Sequence, residues 1–383
     1  MNRRQILKGG GAAALVFVAG GSAWLMTRST ADARAPWQAA NDDYDDPRIA
    51  ALHYAILAPN PHNRQPWLVE LVGEDRLRVH ADPDRMLPHT DPPNRQITIG
   101  FGAFLEMLRM AAATNGFRAV VTPFPGGANE ARLDGRPIAD VRFVRGGAAA
   151  DPLFAHALER RTNKEAYDTA RPAPDADLAA IADTMEAGQG LSLRWTSAPA
   201  EVAELARIAK AGFQVETKLP RTMEESIKLM RFGAGEINAN PDGIDIGGAM
   251  MEVGHLAGVV TADALRDPAS MATAESDRMY NSMIDSAPTW GWLVSRSNTR
   301  FDQLNTGAAW LRMQLAATEA GINMHPMSQV LQEFPEMAPL YREFHETVGV
   351  EAPSRVQGLF RFGYGPDVAA SPRWPLETRM MRV

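Results

Sequence analysis

The sequence predicts an α+β fold built from two related halves, and three observations lead to this prediction. Runs such as WLVELV (67–72) alternate apolar and polar residues with the period of a strand. Two long segments, roughly 95–116 and 301–320, instead carry apolar residues at helical spacing. These two helices share a pattern at one constant offset, because Gly102-Ala103 recurs as Gly307-Ala308 and each helix ends at a glycine before a strand-like segment.

The first half, residues 36–150, begins with an acidic stretch and a predicted helix over residues 47–57. WLVELV and RLRVHA (76–81) flank the turn Gly73-Glu74-Asp75 and predict a hairpin. The long helix over 95–116 follows a loop rich in proline and aspartate, and Asn115-Gly116 is a typical helix end. ADVRFVRG (139–146) predicts a further strand.

The second half, residues 151–383, repeats this mixture of helices and strands. Helices are predicted over DPLFAHALERR (151–161), 178–185, 199–217, 301–320 and 335–348, and strands over WGWLVS (290–295) and VQGLFRFGY (356–364). Residues 230–285 are rich in glycine and methionine and have no clear period. We treat this stretch as a candidate lid.

The first 35 residues have the layout of an export signal. Arg3 and Arg4 precede an uncharged, largely apolar run over 9–26, and the tripeptides ADA (31–33) and ARA (33–35) follow it. The arginine pair indicates recognition by the twin-arginine export machinery and a periplasmic or otherwise extracytoplasmic location. An uncleaved signal would make a membrane anchor; the short run, interrupted by Gly20 and Gly21, favours cleavage.

Composition excludes several kinds of function. The net charge is −7, and it is −11 once residues 1–35 are left out, with no basic cluster suited to nucleic acid. The chain has no cysteine, which rules out disulfides, thiolate metal ligands and cysteine nucleophiles. The eight histidines show no ligand spacing, and NANPDG (238–243) lacks the glutamate that a calcium loop needs, so we expect no metal.

Polar clusters mark the candidate site. APNPHNRQPW (58–67) is either an ordinary turn or a ligand-facing loop, since asparagine and proline are turn residues and side-chain amides bind ligands. ERRTNK (159–164) is either a solvated helix end or an anion site. NMHPMSQ (323–329) is either a buried strand start or a segment along a flat ligand. Arg361, between Phe360 and Phe362, is either a snorkelling edge residue or an anion partner.

Together these clusters resemble the flavin-dependent nitroreductases. APNPHNRQPW looks like the family's S-P-S-x-x-N-x-Q-P-W loop, although Ala58-Pro59-Asn60 stands where Ser-Pro-Ser is usual. ALERRTNKEAY (157–167) resembles the segment that binds the FMN phosphate, and residues 321–329 with LFRFGYGP (359–366) resemble the C-terminal flavin segment. Because the loop and the R-R-T-N-K motif lie in different halves, the chain resembles the fused, pseudo-dimeric, Acg-like branch.

The resemblance implies a nitroreductase-like α+β fold, with mixed sheets flanked by helices and the two long helices packed at a pseudo-twofold interface. It implies one complete FMN site and one vestigial site, and a single chain that suffices as a monomer. The phosphate would be bound by Arg160, Arg161 and Lys164, with a hydroxyl added by Thr162 and a further charge by Arg361. The ribityl chain or the ring edge would contact His62, Asn63 and Gln65. The ring near N5 would lie along Pro326, Met327 and Ser328. It names no catalytic side chain.

The function that the resemblance implies is an FMN-dependent oxidoreductase of nitroreductase type. Hydride would leave flavin N5 for a flat acceptor such as a quinone or a nitroaromatic, and the electron donor is open because NAD(P)H is not expected outside the cytoplasm. An alternative is a flavin-sequestering or storage protein with little turnover, its FMN covered by residues 230–285. A third alternative is a structural relic that binds no flavin.

Overall fold

The computed structural model of the protein describes residues 29–185 and 189–381, so residues 1–28 of the predicted signal lie outside the described residues. The helices are α1 (Pro36–Ala39), α2 (Pro47–Ala55), α3 (Arg95–Thr114), α4 (Asp175–Asp183), α5 (Pro199–Lys218), α6 (Pro220–Lys228), α7 (Gly233–Ala239), α8 (Ala249–Leu256), α9 (Ala262–Arg266), α10 (Met271–Asp285), α11 (Arg300–Glu319) and α12 (Ala338–Thr347). The strands are β1 (Trp67–Val72), β2 (Arg76–Ala81), β3 (Phe117–Pro123), β4 (Ala139–Arg145), β5 (Leu191–Thr196), β6 (Met230–Phe232), β7 (Ile244–Ile246), β8 (Thr289–Ser295), β9 (Asn323–Pro326) and β10 (Arg355–Gly363).

The α+β class predicted from the sequence is confirmed, with one four-stranded sheet in each predicted half. The first sheet has the order β1-β2-β4-β3 and the second the order β5-β8-β10-β9. Every pairing in both sheets is antiparallel, which differs from the mixed sheets that we expected. The parallel pairing lies instead in the small β6–β7 sheet, within the candidate lid.

Most predicted elements appear within a few residues of their expected bounds. One difference is the segment 151–161, predicted as a helix, which forms only the 3-10 helix Pro152–His156. A second is β5, a strand that the sequence analysis did not name. The alternation of Leu191, Leu193 and Trp195 with Ser192, Arg194 and Thr196 was the available signal for this strand.

The two long helices α3 and α11 cross in the core, and glycine makes the close crossing possible. A Cβ on Gly102 would lie 2.0 Å from the carbonyl oxygen of Leu304, and one on Gly307 would lie 1.9 Å from the carbonyl oxygen of Ile99. The added Cβ of Gly102 would also lie 2.9 Å from the Cα of Gly307, and the added Cβ of Gly307 would lie 2.8 Å from the Cα of Gly102. The helices therefore meet at the two glycines that correspond in the sequence repeat. Helix α3 has the length and hydropathy of a membrane span, but 83% of that window is buried in the fold.

The two ends of the described chain are tied together on the surface of the first half. We call residues 29–40 the N-terminal segment and residues 366–381 the C-terminal arm. Trp37 donates from its indole N–H to the carbonyl of Ser371 (2.8 Å), and the backbone N–H of Arg373 donates to the carbonyl of Ala33 (2.8 Å). The arm also pairs with β1, because the N–H of Met381 donates to a β1 carbonyl at 2.8 Å.

This packing bears on the two small-residue tripeptides of the predicted signal. ADA (31–33) and ARA (33–35) belong to the folded N-terminal segment, and Ala33 is 1% exposed. Cleavage after either tripeptide would therefore remove Ala33, which is buried and accepts a hydrogen bond from Arg373.

The glycine crossing gives a first prediction. Gly102→Ala should lower the free energy of unfolding by about 3 kcal/mol, because its methyl group must displace the backbone of α11. Gly135→Ala is the matched control, since an added Cβ there meets nothing within 4 Å. Urea unfolding followed by circular dichroism measures both variants. Equal stability of Gly102→Ala and the wild type would contradict the close crossing.

Candidate functional site

The predicted polar elbow, residues 58–67, has a strained backbone. His62, Asn63 and Gln65 all adopt positive φ, at 47°, 49° and 49°. This left-handed conformation costs non-glycine residues energy and is found more often at functional sites than elsewhere. The side chain of Asn60 stabilises the bend, because its Oδ1 accepts a hydrogen bond from the backbone N–H of Gln65 (2.7 Å).

The amide side chains of the elbow are held by distant parts of the chain. Asn63 Oδ1 accepts from Arg373 Nη1 (2.7 Å), in the C-terminal arm. Gln65 Nε2 donates to the carbonyl of Pro241 (2.8 Å), and its Oε1 accepts from the backbone N–H of Trp374 (2.9 Å). The arm and the candidate lid therefore both close on the elbow.

Two buried arginines meet next to the elbow. Arg160 and Arg373, each 2% exposed, both donate from Nη2 to the carbonyl of Leu57 at 2.9 Å. Arg160 Nη1 also donates to Gln314 Oε1 (3.1 Å), while Gln314 Nε2 contacts Thr162 Oγ1 (3.2 Å). Arg160 Nε is buried without a hydrogen-bond partner. Because Arg373 contacts both Asn63 and this carbonyl, the structure brings the elbow and the R-R-T-N-K segment together.

The charge of this arginine pair is not neutralised by an acidic side chain. Burial, together with the positive charges of Arg373 and Arg161, lowers the pKa of Arg160 to about 9. Burial likewise lowers the pKa of Arg373 to about 9, although the charge of Asp245 acts in the opposite direction. Within residues 29–185 and 189–381, no carboxylate forms an ion pair with either group. Two buried like charges are unfavourable unless an anion joins them, so the pair is a candidate anion site.

An indole ring lies against the same charges. The ring of Trp37 is 5.0 Å from the guanidinium carbon of Arg161 and 5.5 Å from those of Arg160 and Arg373. These are cation–π distances. We call Arg160, Arg161 and Arg373 the arginine cluster. Its outermost member, Arg161, is half-buried and donates to the carbonyl of Leu158 (2.7 Å).

Lys164 links the two halves of the predicted site through its charge. Burial lowers the pKa of His62 to about 4, and the nearby charge of Lys164 contributes to this shift. Burial also holds the pKa of His325 well below its usual range, and the charges of Arg361 and Lys164 act in the same direction. The charge of this exposed lysine from the second half thus acts on imidazoles from both the elbow and β9.

Arg361, predicted at the phosphate end, lies among other partners. Its guanidinium is fully buried, contacts His325 Nδ1 at 3.0 Å and lies 4.3 Å from the ring centroid of Tyr167. Its Nη2 donates to the carbonyl of Glu165 (3.2 Å). Burial lowers its pKa. The arginine that lies beside Arg160 is Arg373, which the sequence analysis did not select.

The segment predicted to run along the flavin ring is partly fixed by the second sheet. Pro326 ends β9, and the N–H of Met327 donates to the carbonyl of Leu359 (2.7 Å). Met327 is 1% exposed, whereas Pro326 and Ser328 are half-buried. The N–H of Met327 is therefore already paired, and Pro326 and Ser328 are the members of this segment with accessible surface.

The candidate lid, residues 230–285, also reaches this region. Gln329 Nε2 donates to the hydroxyl of Tyr280 (2.5 Å), which lies on α10. The carbonyl of Met283, on the same helix, accepts from Arg361 Nη1 (2.5 Å). With the contact to the elbow, the lid touches three of the predicted site segments.

A polar cleft of about 530 Å³ opens beside the arginine cluster. This volume lies within the usual range for small-molecule sites. Its lining includes Arg161, Asn163, Arg171, Gln314, Asn323 and Tyr364. All of the lining residues belong to the second half, so the cleft reaches the predicted phosphate segment but not the elbow.

These features define the class: an α+β protein with two sheet-bearing halves, a polar cleft in the second half and a candidate anion site beside it. The sequence pattern of the nitroreductase family matches residues 157–364, more than half of the chain, and the chain belongs to this family. Two relatives from Mycobacterium tuberculosis are both named as putative NAD(P)H nitroreductases. The first is 33% identical to this chain over 147 residues, and the second, called acg, is 35% identical over 132 residues. These matches cover 38% and 34% of this chain but only 41% and 37% of the relatives.

The fold also resembles solved structures at low sequence identity. One is a nitroreductase with bound FMN from Bacteroides fragilis, with 17% identity and a TM-score of 0.34. The alignment covers 59% of this chain and 95% of that protein.

Three site features escaped the sequence analysis. Arg373 lies in SPRWP, after the last strand, and was not tied to any motif. His325 was included only as part of NMHPMSQ, and Tyr280 sits in the stretch without a clear period. The prolines around Arg373 were the available signal, because they indicate an extended arm that can lie along another surface.

The half-buried imidazole of His62, whose pKa is lowered, gives a second prediction. Its pKa falls from 6.5 in the unfolded chain to about 4 in the folded protein, so the unfolded chain binds the extra proton first as pH falls. The stabilisation by neutral His62 is complete above pH 6.5 and is lost between pH 6.5 and pH 4. From pH 7 to pH 4.5, the wild type should lose about 2 kcal/mol more stability than His62→Asn.

Asparagine tolerates the left-handed backbone at this position, which makes the variant conservative. Urea unfolding at a series of pH values measures the difference, and the exposed His89→Asn is the control. The same pH dependence in the wild type and His62→Asn would show that His62 is not held neutral.

Proposed function

We propose that the protein is an FMN-binding oxidoreductase of the nitroreductase type that passes reducing equivalents to a flat acceptor, such as a quinone or a nitroaromatic. The observation that carries this proposal is the pair of buried arginines without a carboxylate partner, next to the strained elbow. Family membership over residues 157–364 supports the same conclusion.

The residues fit the phosphate of a mononucleotide. Arg160 and Arg373 offer buried, un-neutralised guanidinium groups, and Arg160 Nε has an unused donor. Guanidinium groups bind phosphate by charge-assisted, often bidentate, hydrogen bonds. Arg161 borders the 530 Å³ cleft beside them, and Lys164 adds a further positive charge nearby. Arg373 takes the place at the phosphate end that the resemblance gave to Arg361.

The remaining predicted contacts belong to the rest of the cofactor. His62, Asn63 and Gln65 would face the ribityl chain or ring edge, after Asn63 and Gln65 exchange their present partners in the arm and lid. Pro326 and Ser328 offer the accessible surface along the ring. Bound FMN would supply the hydride chemistry at N5, while the chain supplies orientation and charge. Neutral His62 and His325 keep the surroundings of the ring free of further positive charge.

We also propose that the chain is a fused pseudo-dimer and acts as a monomer. The crossing of α3 and α11 at Gly102 and Gly307, which correspond in the sequence repeat, supports this proposal because equivalent residues meet on a twofold axis. One antiparallel sheet on each side of the crossing is consistent with it. The N-x-Q-P-W loop and the R-R-T-N-K motif each occur once, which supports one complete cofactor site.

Export through the twin-arginine route is part of the proposal. Arg3, Arg4 and the uncharged run over 9–26 support an extracytoplasmic, periplasmic location. This route carries folded proteins, which suits a protein that must bind its cofactor in the cytoplasm. The electron donor outside the cytoplasm is then a component other than free NAD(P)H.

A second function is favoured by the lid. Residues 230–285 contact the elbow, the segment after β9 and Arg361, so a bound flavin would lie beneath them. A cofactor that is covered and held from several sides would exchange electrons slowly. The alternative is therefore a flavin-sequestering or storage protein with little turnover.

The third prediction concerns the phosphate end. Arg373→Met should weaken FMN binding at least about tenfold, because a charge-assisted hydrogen bond to phosphate contributes about 1.5–3 kcal/mol. Binding of riboflavin, which lacks the phosphate, should change little. Fluorescence titration of protein freed of flavin measures both ligands, and Arg118→Met, an exposed arginine on β3, is the control.

Two outcomes would contradict this prediction in different ways. Wild-type protein that binds neither flavin would overturn the proposed function. If Arg373→Met binds FMN as tightly as the wild type, the proposed function stands but the phosphate binds at another position.

The fourth prediction separates the enzyme from the flavin store. FMN-loaded protein, reduced chemically without oxygen, should be reoxidised rapidly by a soluble quinone in stopped-flow absorbance. Tyr280→Phe, which removes the hydroxyl that Gln329 contacts but keeps the ring, should raise this rate by about fivefold, because one hydrogen bond contributes about 1 kcal/mol to lid closure. Flavin that stays reduced with quinone in both proteins would favour the storage function.

A further inference from the structure

Exposed apolar side chains are concentrated in the candidate lid. The large hydrophobic side chains exposed within the described ranges are Val120, Met250, Val253, Leu256, Val259, Met271, Met279, Phe301 and Met381. Six of these nine lie between residues 250 and 279. Single exposed apolar residues need no explanation, but a cluster of this kind marks an interaction surface.

Helix α8 presents the most regular part of this cluster. Met250, Val253 and Leu256 follow one another at a spacing of three residues and are 82%, 52% and 57% exposed, so they share one outward side of the helix. The inward side is fixed to the protein, because Glu252 is buried and its carboxylate accepts from the backbone N–H of Ala234 (2.9 Å). The helix is therefore anchored by one face and apolar on the other.

The chain outside the described residues leaves the fold close to this helix. The carbonyl of Ser29 accepts from Asn238 Nδ2 (2.8 Å), and the N–H of Ala33 donates to Asn238 Oδ1 (3.2 Å). Asn238 lies on α7, which packs directly against α8. The N-terminal segment thus enters the protein beside the lid.

The sequence that precedes Ser29 is suited to a lipid bilayer. Residues 9–26 contain no charged side chain, and Lys8 and Arg28 flank them. Only residues 27 and 28 separate this run from Ser29, a reach of about 10 Å. Any bilayer that holds residues 9–26 must therefore lie close to α7 and α8. The burial of Ala33 supports retention of this run, since both candidate cleavage tripeptides contain this alanine and its carbonyl accepts from the backbone N–H of Arg373.

We propose that the outward face of α8, formed by Met250, Val253 and Leu256, docks on the surface of the phospholipid bilayer in which residues 9–26 of the same chain are anchored. Helices with one apolar face lie in the interface with the side chains of that face at the boundary of head groups and acyl chains. The two elements act together, because a membrane contact from one short helix is weak without a second anchor. The lid would then face the phase in which membrane quinones dissolve.

The absence of cysteine allows a direct test on the full chain. Met250→Cys and Leu256→Cys, each labelled with the fluorophore NBD, are placed in vesicles of phosphatidylethanolamine and phosphatidylglycerol. Nitroxide-labelled phospholipid should quench both labels by about twofold or more, with a blue-shifted emission, as expected at the interface. Val120→Cys, an exposed apolar position on β3, is the matched control and should be quenched little. The intact mass of the membrane-extracted protein reports whether residues 9–26 are retained.

Each other result would overturn the proposal. A mature chain that begins after Ala33 or Ala35 removes the anchor. Labels at 250 and 256 that are unquenched by nitroxide lipid, yet blue-shifted in detergent, show a face covered by protein. If the shift depends on protein concentration, a second copy of the chain covers this face. If it does not, residues 9–26 themselves cover it. Equal quenching at all three positions shows non-specific adsorption. None of these readouts requires bound flavin, so they are independent of the proposed redox function.

Discussion

The close crossing of the two long helices is the constraint on which the rest of the protein depends. Because Gly102 and Gly307 allow backbone to touch backbone, α3 of the first half and α11 of the second half are held in direct contact. This contact joins the half that carries the elbow to the half that carries the R-R-T-N-K segment, although about a hundred residues lie between them in sequence. Packed cores resist small shifts, so the geometry of the site inherits the rigidity of the helix pair.

The second constraint is electrostatic. The protein buries Arg160, Arg373 and Arg361, and carbonyl groups and neutral side chains, not carboxylates, accept most of their hydrogen bonds. Such groups orient a guanidinium without placing an opposite charge beside it. At Arg160 and Arg373, where two such guanidinium groups share one carbonyl acceptor, this arrangement is what the proposed anion site would explain.

Local patterns predicted much of this fold, and long-range contacts account for what they did not. The hairpin β1–β2, helix α3 and strand β10 follow periods of two and 3.6 residues and were predicted nearly to their ends. The elbow and R-R-T-N-K were found because their residue types are unusual in a short stretch. Arg373 was not, because its role depends on an arm that crosses from the end of one half to the surface of the other. The antiparallel order of the sheets is likewise a matter of topology, which periodicity does not determine.

The hydrogen bonds between the N-terminal segment and the C-terminal arm have a consequence for the order in which the protein is synthesised and folds. Trp37 and Ala33 bind to Ser371 and Arg373, which follow them by more than 330 residues. The N-terminal segment therefore cannot take its final place before residue 373 has been synthesised. A polypeptide interrupted before that residue would leave Trp37 and Ala33 without these partners.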